Sequence, residues 1–170
     1  MAFQRDNRRA GNNEGEKAYE ESVVQISRCA KVVKGGRRFS FGALVVVGDR
    51  RGRVGIGYAK ANEVPQAVDK AIASAVKEMV AVSLKGRSIP HVVYGQCGAS
   101  RVVLLPASEG TGVLAGKKLR PILELAGIQD VLSKAYGSTC PKNLIKAGLA
   151  ALKKLRTAEK VAALRGVTLA

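Results

Sequence analysis

The chain has 170 residues and 17.9 kDa, with 29 Lys and Arg against 13 Asp and Glu, a formal net charge of +16 and a pI near 10.2. Apolar residues make up 46% and charged residues 25%, enough apolar surface for a core, which excludes a disordered polybasic tail. The excess of positive charge concerns partners more than fold and favours a polyanion, while no run of about 18 apolar residues is present to span a membrane.

The first residues are rich in Asn, Gly, Glu and Arg without periodicity, and no apolar stretch follows Met1. A mobile tail over 1–20 is expected, with no secretory signal. From Ser22 the pattern changes. Val23, Val24, Ile26, Cys29, Val32 and Val33 predict a first strand, and Lys34-Gly35-Gly36-Arg37-Arg38 a tight basic turn. Phe39 to Val47 is β-branched and aromatic and predicts a second strand, then a turn at Gly48 to Gly52, then a third strand over Arg53 to Lys60. Gly55 and Gly57 inside that strand mark a close backbone approach. The three strands read as an antiparallel meander.

A helix follows, with Pro65 suited to its first turn and Glu63 near its N-terminus. Val64, Val68, Ile72, Ala75, Val76, Met79 and Val80 form its apolar face. That face is expected to cover one side of the meander and leave the other, with its basic residues, open. Leu84 to Ser88 reads as a linker. In the second half, Val92-Val93-Tyr94 and Arg101 to Leu105 predict two strands. A helix is expected from about Val113 to Ala126, kinked or delayed by Pro121. Val131 to Gly137 predicts a strand and Asn143 to Leu155 a helix. The expected organisation is a tail over 1–20, a first domain over 21–84, a second α+β domain over 90–160 and a tail over 161–170.

The charge is uneven along this layout. Residues 1–30 hold five basic and five acidic residues, a net of zero. Residues 31–60 hold eight basic and one acidic, a net of +7, and residues 131–170 hold the same. The stretches 61–90 and 91–130 each hold four basic and three acidic, a net of +1. A solvated surface mixes both signs along its length, so two basic blocks around a nearly neutral middle suggest two contacts with a polyanion.

Signals for chemistry are weak. Gly110 to Lys118 partly matches a phosphate-binding loop, but Thr111 stands where that motif needs glycine and Lys118 where it needs Ser or Thr. It reads better as a glycine-rich turn feeding a helix N-terminus, able to hold an anion or a partner's acidic group. Gly52, Gly55 and Gly57 do not precede a helix and make no dinucleotide fingerprint. His91 is a lone histidine with a structural role as its simplest reading. Cys29, Cys97 and Cys140 are odd in number and widely spaced, with neither a disulfide framework nor a metal knuckle. They read as reduced, small apolar residues of a cytosolic protein. No catalytic residue, metal site or cofactor is expected. The turn at Lys34 to Arg38, followed by Phe39 and Phe41, reads as a phosphate clamp, whereas a solvated hairpin tip is the plain alternative. Tyr58 is placed either to stack on a base or to pack in the sheet.

Several runs together resemble one family. They are Val32-Val33-Lys34-Gly35-Gly36-Arg37-Arg38-Phe39-Ser40-Phe41, Gly52-Arg53-Val54-Gly55-Ile56-Gly57-Tyr58, Glu63-Val64-Pro65, Ala107-Ser108-Glu109-Gly110-Thr111-Gly112 and Lys134-Ala135-Tyr136-Gly137-Ser138-Thr139. Their order over Ser22 to Leu155 is similar to that of the fifth protein of the bacterial small ribosomal subunit, a universal ribosomal protein family. Ala59 stands where that family usually has glycine, and Arg50 and Arg51 differ from many members.

The resemblance implies an α+β chain. Its N-terminal domain would be like a double-stranded-RNA-binding fold, a three-stranded antiparallel sheet plus helix. A C-terminal α/β sandwich domain would follow, of a fold shared with some kinases and nucleases, which says nothing about activity. It implies a non-enzymatic, cytoplasmic ribosomal protein that binds small-subunit ribosomal RNA, lies near messenger RNA, supports decoding fidelity and contacts the fourth and eighth small-subunit proteins. No membrane and no homo-oligomer are expected. The expected RNA-binding residues are Arg28, Lys31, Lys34, Gly35, Gly36, Arg37, Arg38, Phe39, Arg51, Arg53, Tyr58 and Lys60, with Lys134, Tyr136, Lys142 and Lys146 in the second half. The loop Val32, Val33 and Lys34 is implied to lie near the spectinomycin site, and Gly112 and Arg120 at the interface with the fourth protein. The other readings are a free double-stranded-RNA-binding module and a nucleotide-acting enzyme.

Overall fold

The computed structural model describes residues 19–167. Of the two expected tails, residues 1–18 and 168–170 lie outside the described residues. β1 (Glu20–Val33), β2 (Gly36–Gly48) and β3 (Arg53–Ala61) form the expected antiparallel meander. Helix α1 (Val64–Lys77) follows, with proline in its first turn. Its apolar pattern runs on to Val80, but the helix ends at Lys77, and β4 (Val80–Ala81) pairs with β3 instead. The first sheet therefore has four strands, in the order β1-β2-β3-β4.

The alternation of side chains gives the sheet two faces. Ala43, Val45 and Val47 pack with Ala67, Ala71 and Ala75 of α1, all six fully buried. The alanine-lined helix lies close on the sheet because β3 offers no side chains there. A Cβ at Gly55 would meet the carbonyl of Ala75, and one at Gly57 the carbonyl of Ala71. The close approach expected from these glycines is what the structure contains.

The other face is not left open, contrary to expectation. Leu44, Val46, Val54 and Ile56 share one buried cluster with Val93, Leu104, Ile122, Leu125 and Leu152 of the second half. The reason lies in β2, which is apolar at consecutive positions from Ala43 to Val47, as a strand covered on both faces must be. The turn after β2 fastens the contact. Arg50 N–H donates to the Leu125 carbonyl (3.0 Å) and Gly52 N–H to that of Ala126 (3.1 Å).

The second sheet contains β5 (Val93–Cys97), β6 (Ser100–Pro106), β7 (Val113–Leu114) and β8 (Val131–Gly137), in the order β5-β6-β8-β7. Helix α2 (Arg120–Leu125) joins β7 to β8, and α3 (Pro141–Lys153) packs on the sheet through Leu144, Ala147, Ala151 and Leu152. A Cβ at Gly95 would meet the Ala147 carbonyl, so this helix also sits on a glycine.

Two readings of this half need correction. Residues 113–114 are strand, paired in parallel with β8, and the helix starts only at Arg120, with Pro121 in its first turn. The glycine-rich stretch therefore feeds a strand, not a helix N-terminus. Helix α4 (Ala158–Arg165) was not expected. None of its residues is buried, so no apolar stripe announces it. Its caps do: the Thr157 hydroxyl accepts from Lys160 N–H (3.3 Å), and Gly166 takes a left-handed φ of 66°. The class remains α+β, an antiparallel sheet with its helix followed by an α/β domain.

Candidate nucleic-acid interface

The two-residue turn Lys34-Gly35 closes the β1–β2 hairpin between Val33 and Gly36. Gly35 has φ 88°, which only glycine adopts cheaply. Lys31, Lys34, Arg37 and Arg38 are all exposed, and none forms an ion pair among the described residues. The register places Lys31 directly opposite Arg38. Like charges in that position destabilise a hairpin, so the arrangement costs the free protein stability and suits a polyanion.

The hairpin presents both faces. Arg28, Val32, Arg37 and Phe39 lie on the side of α1, beyond its end. Arg28 covers the Phe39 ring at 3.6 Å from its centroid, and Phe39 is 47% exposed. Val32 is 74% exposed at the tip. Lys31 and Arg38 lie on the opposite face, which continues along the sheet. Gly42 pairs with Lys60 and Leu44 with Tyr58, so these residues share that face. Lys142 of α3 then sets its Nζ 3.3 Å from the centre of the Tyr58 ring. Lys146 follows one turn along α3. Residues from both basic blocks thus meet on one track, Lys31 and Arg38, Lys60, Tyr58 with Lys142, then Lys146. Charge counted along the chain alone suggests two separate contacts.

Other expected residues lie elsewhere. Arg51 and Arg53 sit at the β2–β3 turn, where Asp49 Oδ1 accepts both their backbone N–H groups (2.8 and 2.9 Å). That turn and the hairpin tip are at opposite ends of β2, about 40 Å apart at ~3.3 Å per residue. Lys134 and Tyr136 lie on β8, opposite Val103 and Arg101. They belong to the outer face of the second sheet, where Tyr94 (65%) and Tyr136 (54%) are exposed. Leu105, Leu114 and Leu132 are exposed at the other end of this face. Gly112 has φ 75° and donates its N–H to Asp130 Oδ1 (2.8 Å). Arg120 opens α2 and reaches Glu124 at 4.0 Å.

Residue-by-residue reading missed Lys153 and the outer face of the second sheet. Lys153 had a signal, since Lys142, Lys146 and Lys153 recur on one helix face. The sheet face had none: Val102, Val103, Leu104 and Leu105 are apolar in both phases of the alternation, which does not say which phase is covered. His91 has a structural place, its Nδ1 donating to the Val92 carbonyl (2.9 Å) and its Nε2 accepting from Arg156 N–H (3.2 Å).

Both halves of the chain match known proteins. Residues 19–83 match the family model described as ribosomal protein S5, N-terminal domain, and residues 95–165 that described as ribosomal protein S5, C-terminal domain. The chain is similar to the small ribosomal subunit protein uS5 of Rhodopirellula baltica, with 56% identity over 147 residues, 86% of this chain and 83% of that protein.

Proposed function

The chain belongs to the ribosomal protein S5 family, and on that premise we propose that its basic track grips the backbone of small-subunit ribosomal RNA. The family is one of structural ribosomal proteins, not of enzymes, and the chain works in the ribosome, in the cytoplasm. The observation that carries the reading is the hairpin with Lys31, Lys34, Arg37 and Arg38 exposed and without acidic partners among the described residues. Arg28 and Phe39 add a stacked pair beside it. Gly35 and Gly36 let the backbone come close to phosphate. Lys60, Tyr58, Lys142 and Lys146 extend the contact across the sheet. Lys134 and Tyr136 with Arg101, and Arg51 with Arg53, form further RNA contacts at separate places. A surface of this kind reads the shape and backbone of RNA more than its sequence.

The nearly neutral middle faces proteins. Gly112 and Arg120 form the contact with the fourth small-subunit protein, and the eighth is a second neighbour. Leu105, Leu114 and Leu132, exposed next to the Gly112 loop, give such a contact its apolar part. Accuracy of decoding is set through this interface, by a coupling of about 1–3 kcal/mol between accurate and error-prone states. The Val32-Val33-Lys34 tip lies near the spectinomycin site and the path by which messenger RNA enters.

The test is a salt titration of the purified chain on small-subunit ribosomal RNA. Binding is expected to weaken steeply with salt. Replacing Lys31, Lys34, Arg37 and Arg38 by Ala is expected to flatten the log–log slope by about 3, at ~0.7–0.9 for each of four phosphates. A flat response of the wild-type chain refutes the reading. In cells, Lys34→Glu is expected to reduce spectinomycin sensitivity more than it harms assembly, and normal sensitivity refutes the placement of the tip.

A further inference from the structure

Between α3 and the sheet face of β2 and β3 lies a cleft of about 570 Å³, within the range of small-molecule sites. Leu44, Ile56 and Leu149 line it as apolar groups, with Tyr58 beside them. Lys142, Lys146 and Lys153 line it from one face of α3. Lys142 is fixed on the Tyr58 ring. Lys146 and Lys153 are exposed and have no ion pair among the described residues.

We propose that this cleft takes a single unstacked nucleotide from a non-duplex segment of RNA, its base against the apolar floor and its phosphate on Lys146 and Lys153. The proposal rests on the RNA-binding reading above and sharpens it. A bare phosphate would use the lysines and leave the apolar floor idle. An apolar ligand would leave the lysines without a counter-charge. A nucleotide has both parts in the required order. Ser74 and Glu78 line the α1 side, where a hydroxyl and a carboxylate can accept from a base's ring N–H or amino group. Tyr58 lines the cleft and Lys60 follows it on the same face of β3, so a strand held there has a basic path out through Lys60, Arg38 and Lys31. An A-form duplex keeps its bases stacked inside. Only a bulge, loop or single strand can present one, and extrusion costs least where the base is already unpaired.

The experiment uses the full chain and three probes: a single-stranded RNA hexamer carrying 2-aminopurine, a 16-base-pair RNA duplex, and AMP. The variant K146E/K153E changes two exposed residues, and its melting temperature checks that the fold is kept. Wild-type binding is expected to change the 2-aminopurine fluorescence. The variant is expected to lose about tenfold in hexamer affinity and to flatten the salt slope by about 0.7, for the one phosphate held on a single strand. Duplex affinity is expected to fall less than hexamer affinity, since the duplex loses only Lys146 at the end of its track, while R37A/R38A weakens the duplex more than the hexamer. Equal losses on hexamer and duplex, or no loss on the hexamer, overturn the proposal. So does AMP binding as tightly as the hexamer, which would make a free nucleotide the occupant. Displacement of the hexamer at similar affinity by a peptide of alternating Glu and Leu would make it a protein site, with the same consequence. Failure of the wild-type chain to bind any RNA overturns the broader RNA-binding reading as well.

Discussion

Arg38→Glu is expected to stabilise the free protein and weaken its hold on RNA. Lys31 and Arg38 are directly opposite in the β1–β2 ladder. Both are exposed, and neither has an acidic partner among the described residues. A cross-strand charge pair contributes roughly 0.2–1 kcal/mol, favourable or unfavourable by sign, with exposed pairs at the low end. Converting repulsion into attraction counts this twice, so about 0.5–1 kcal/mol is expected. In a domain of this size that raises the melting temperature by about 1–4 °C. The gain is largest at low salt and fades as screening shortens to about 10 Å at 0.1 M. On RNA the same change removes one cation from the track and adds a repulsive charge. Affinity for a duplex is expected to fall about tenfold at low salt, with the salt slope lower by ~0.7–0.9. Arg38→Gln removes the repulsion without the attraction and is expected to lie between. Differential scanning fluorimetry and filter binding on the three proteins measure both quantities. A fall in melting temperature with Glu, or RNA affinity equal to wild type, refutes the argument that this pair sacrifices stability for binding.

Two further predictions concern the scaffold. Gly57→Ala places a Cβ against the Ala71 carbonyl and the Ala75 backbone nitrogen, neither of which can rotate away, and a loss of about 1–3 kcal/mol is expected. Gly116→Ala, with nothing within 4 Å and no positive φ, is expected to be neutral or slightly stabilising in the same thermal melt, and equal losses would refute the packing argument. Asp130→Ala leaves the Gly112 N–H without its acceptor and is expected to cost about 1–3 kcal/mol. Asp130→Asn keeps an acceptor there and is expected to retain most of the stability, so chemical denaturation giving both variants the same loss would refute the role assigned to Oδ1.

The six longer strands were legible from β-branched or apolar runs bounded by turn residues, whereas the two-residue strands β4 and β7 were not. The basic turn expected over Lys34 to Arg38 is only Lys34-Gly35, because Gly36, Arg37 and Arg38 pair with Val33, Val32 and Lys31 as the start of β2. Gly55 and Gly57 marked a close backbone approach, and the helix makes it with Ala67, Ala71 and Ala75 as the small residues that it requires. What failed was local periodicity where tertiary pairing decided the outcome. Val113 and Leu114 fit a helical pattern, yet β8 offers a parallel partner and Gly116 breaks the chain before the helix. Val80 completes an apolar helical face, yet it pairs with Val54. The covered second face of the first sheet could be read from the unbroken run Ala43 to Val47, though nothing in that run says what covers it.

The site was legible as residue types and not as a surface. Charge counted along the chain divided the basic residues into two blocks, and two contacts were inferred. The fold instead sets α3 beside β3, and Lys142 on Tyr58 joins the blocks. It also sorts the acids. Glu20 pairs with Arg50 (2.7 Å) and Glu124 reaches Arg120, so these arginines are neutralised where the two halves meet or where a protein partner is proposed. Asp49 is occupied in holding the β2–β3 turn. Along the track from Lys31 to Lys146 no such pairing is present among the described residues. Like-charge repulsion there favours an extended, solvated hairpin in the free protein and is relieved only when phosphate arrives. The net charge of +16 is therefore a poor measure of RNA affinity. Moving an acid from Asp49 to the track would leave the net charge unchanged and weaken binding, because the unpaired stretch, and not the total, is what phosphate neutralises.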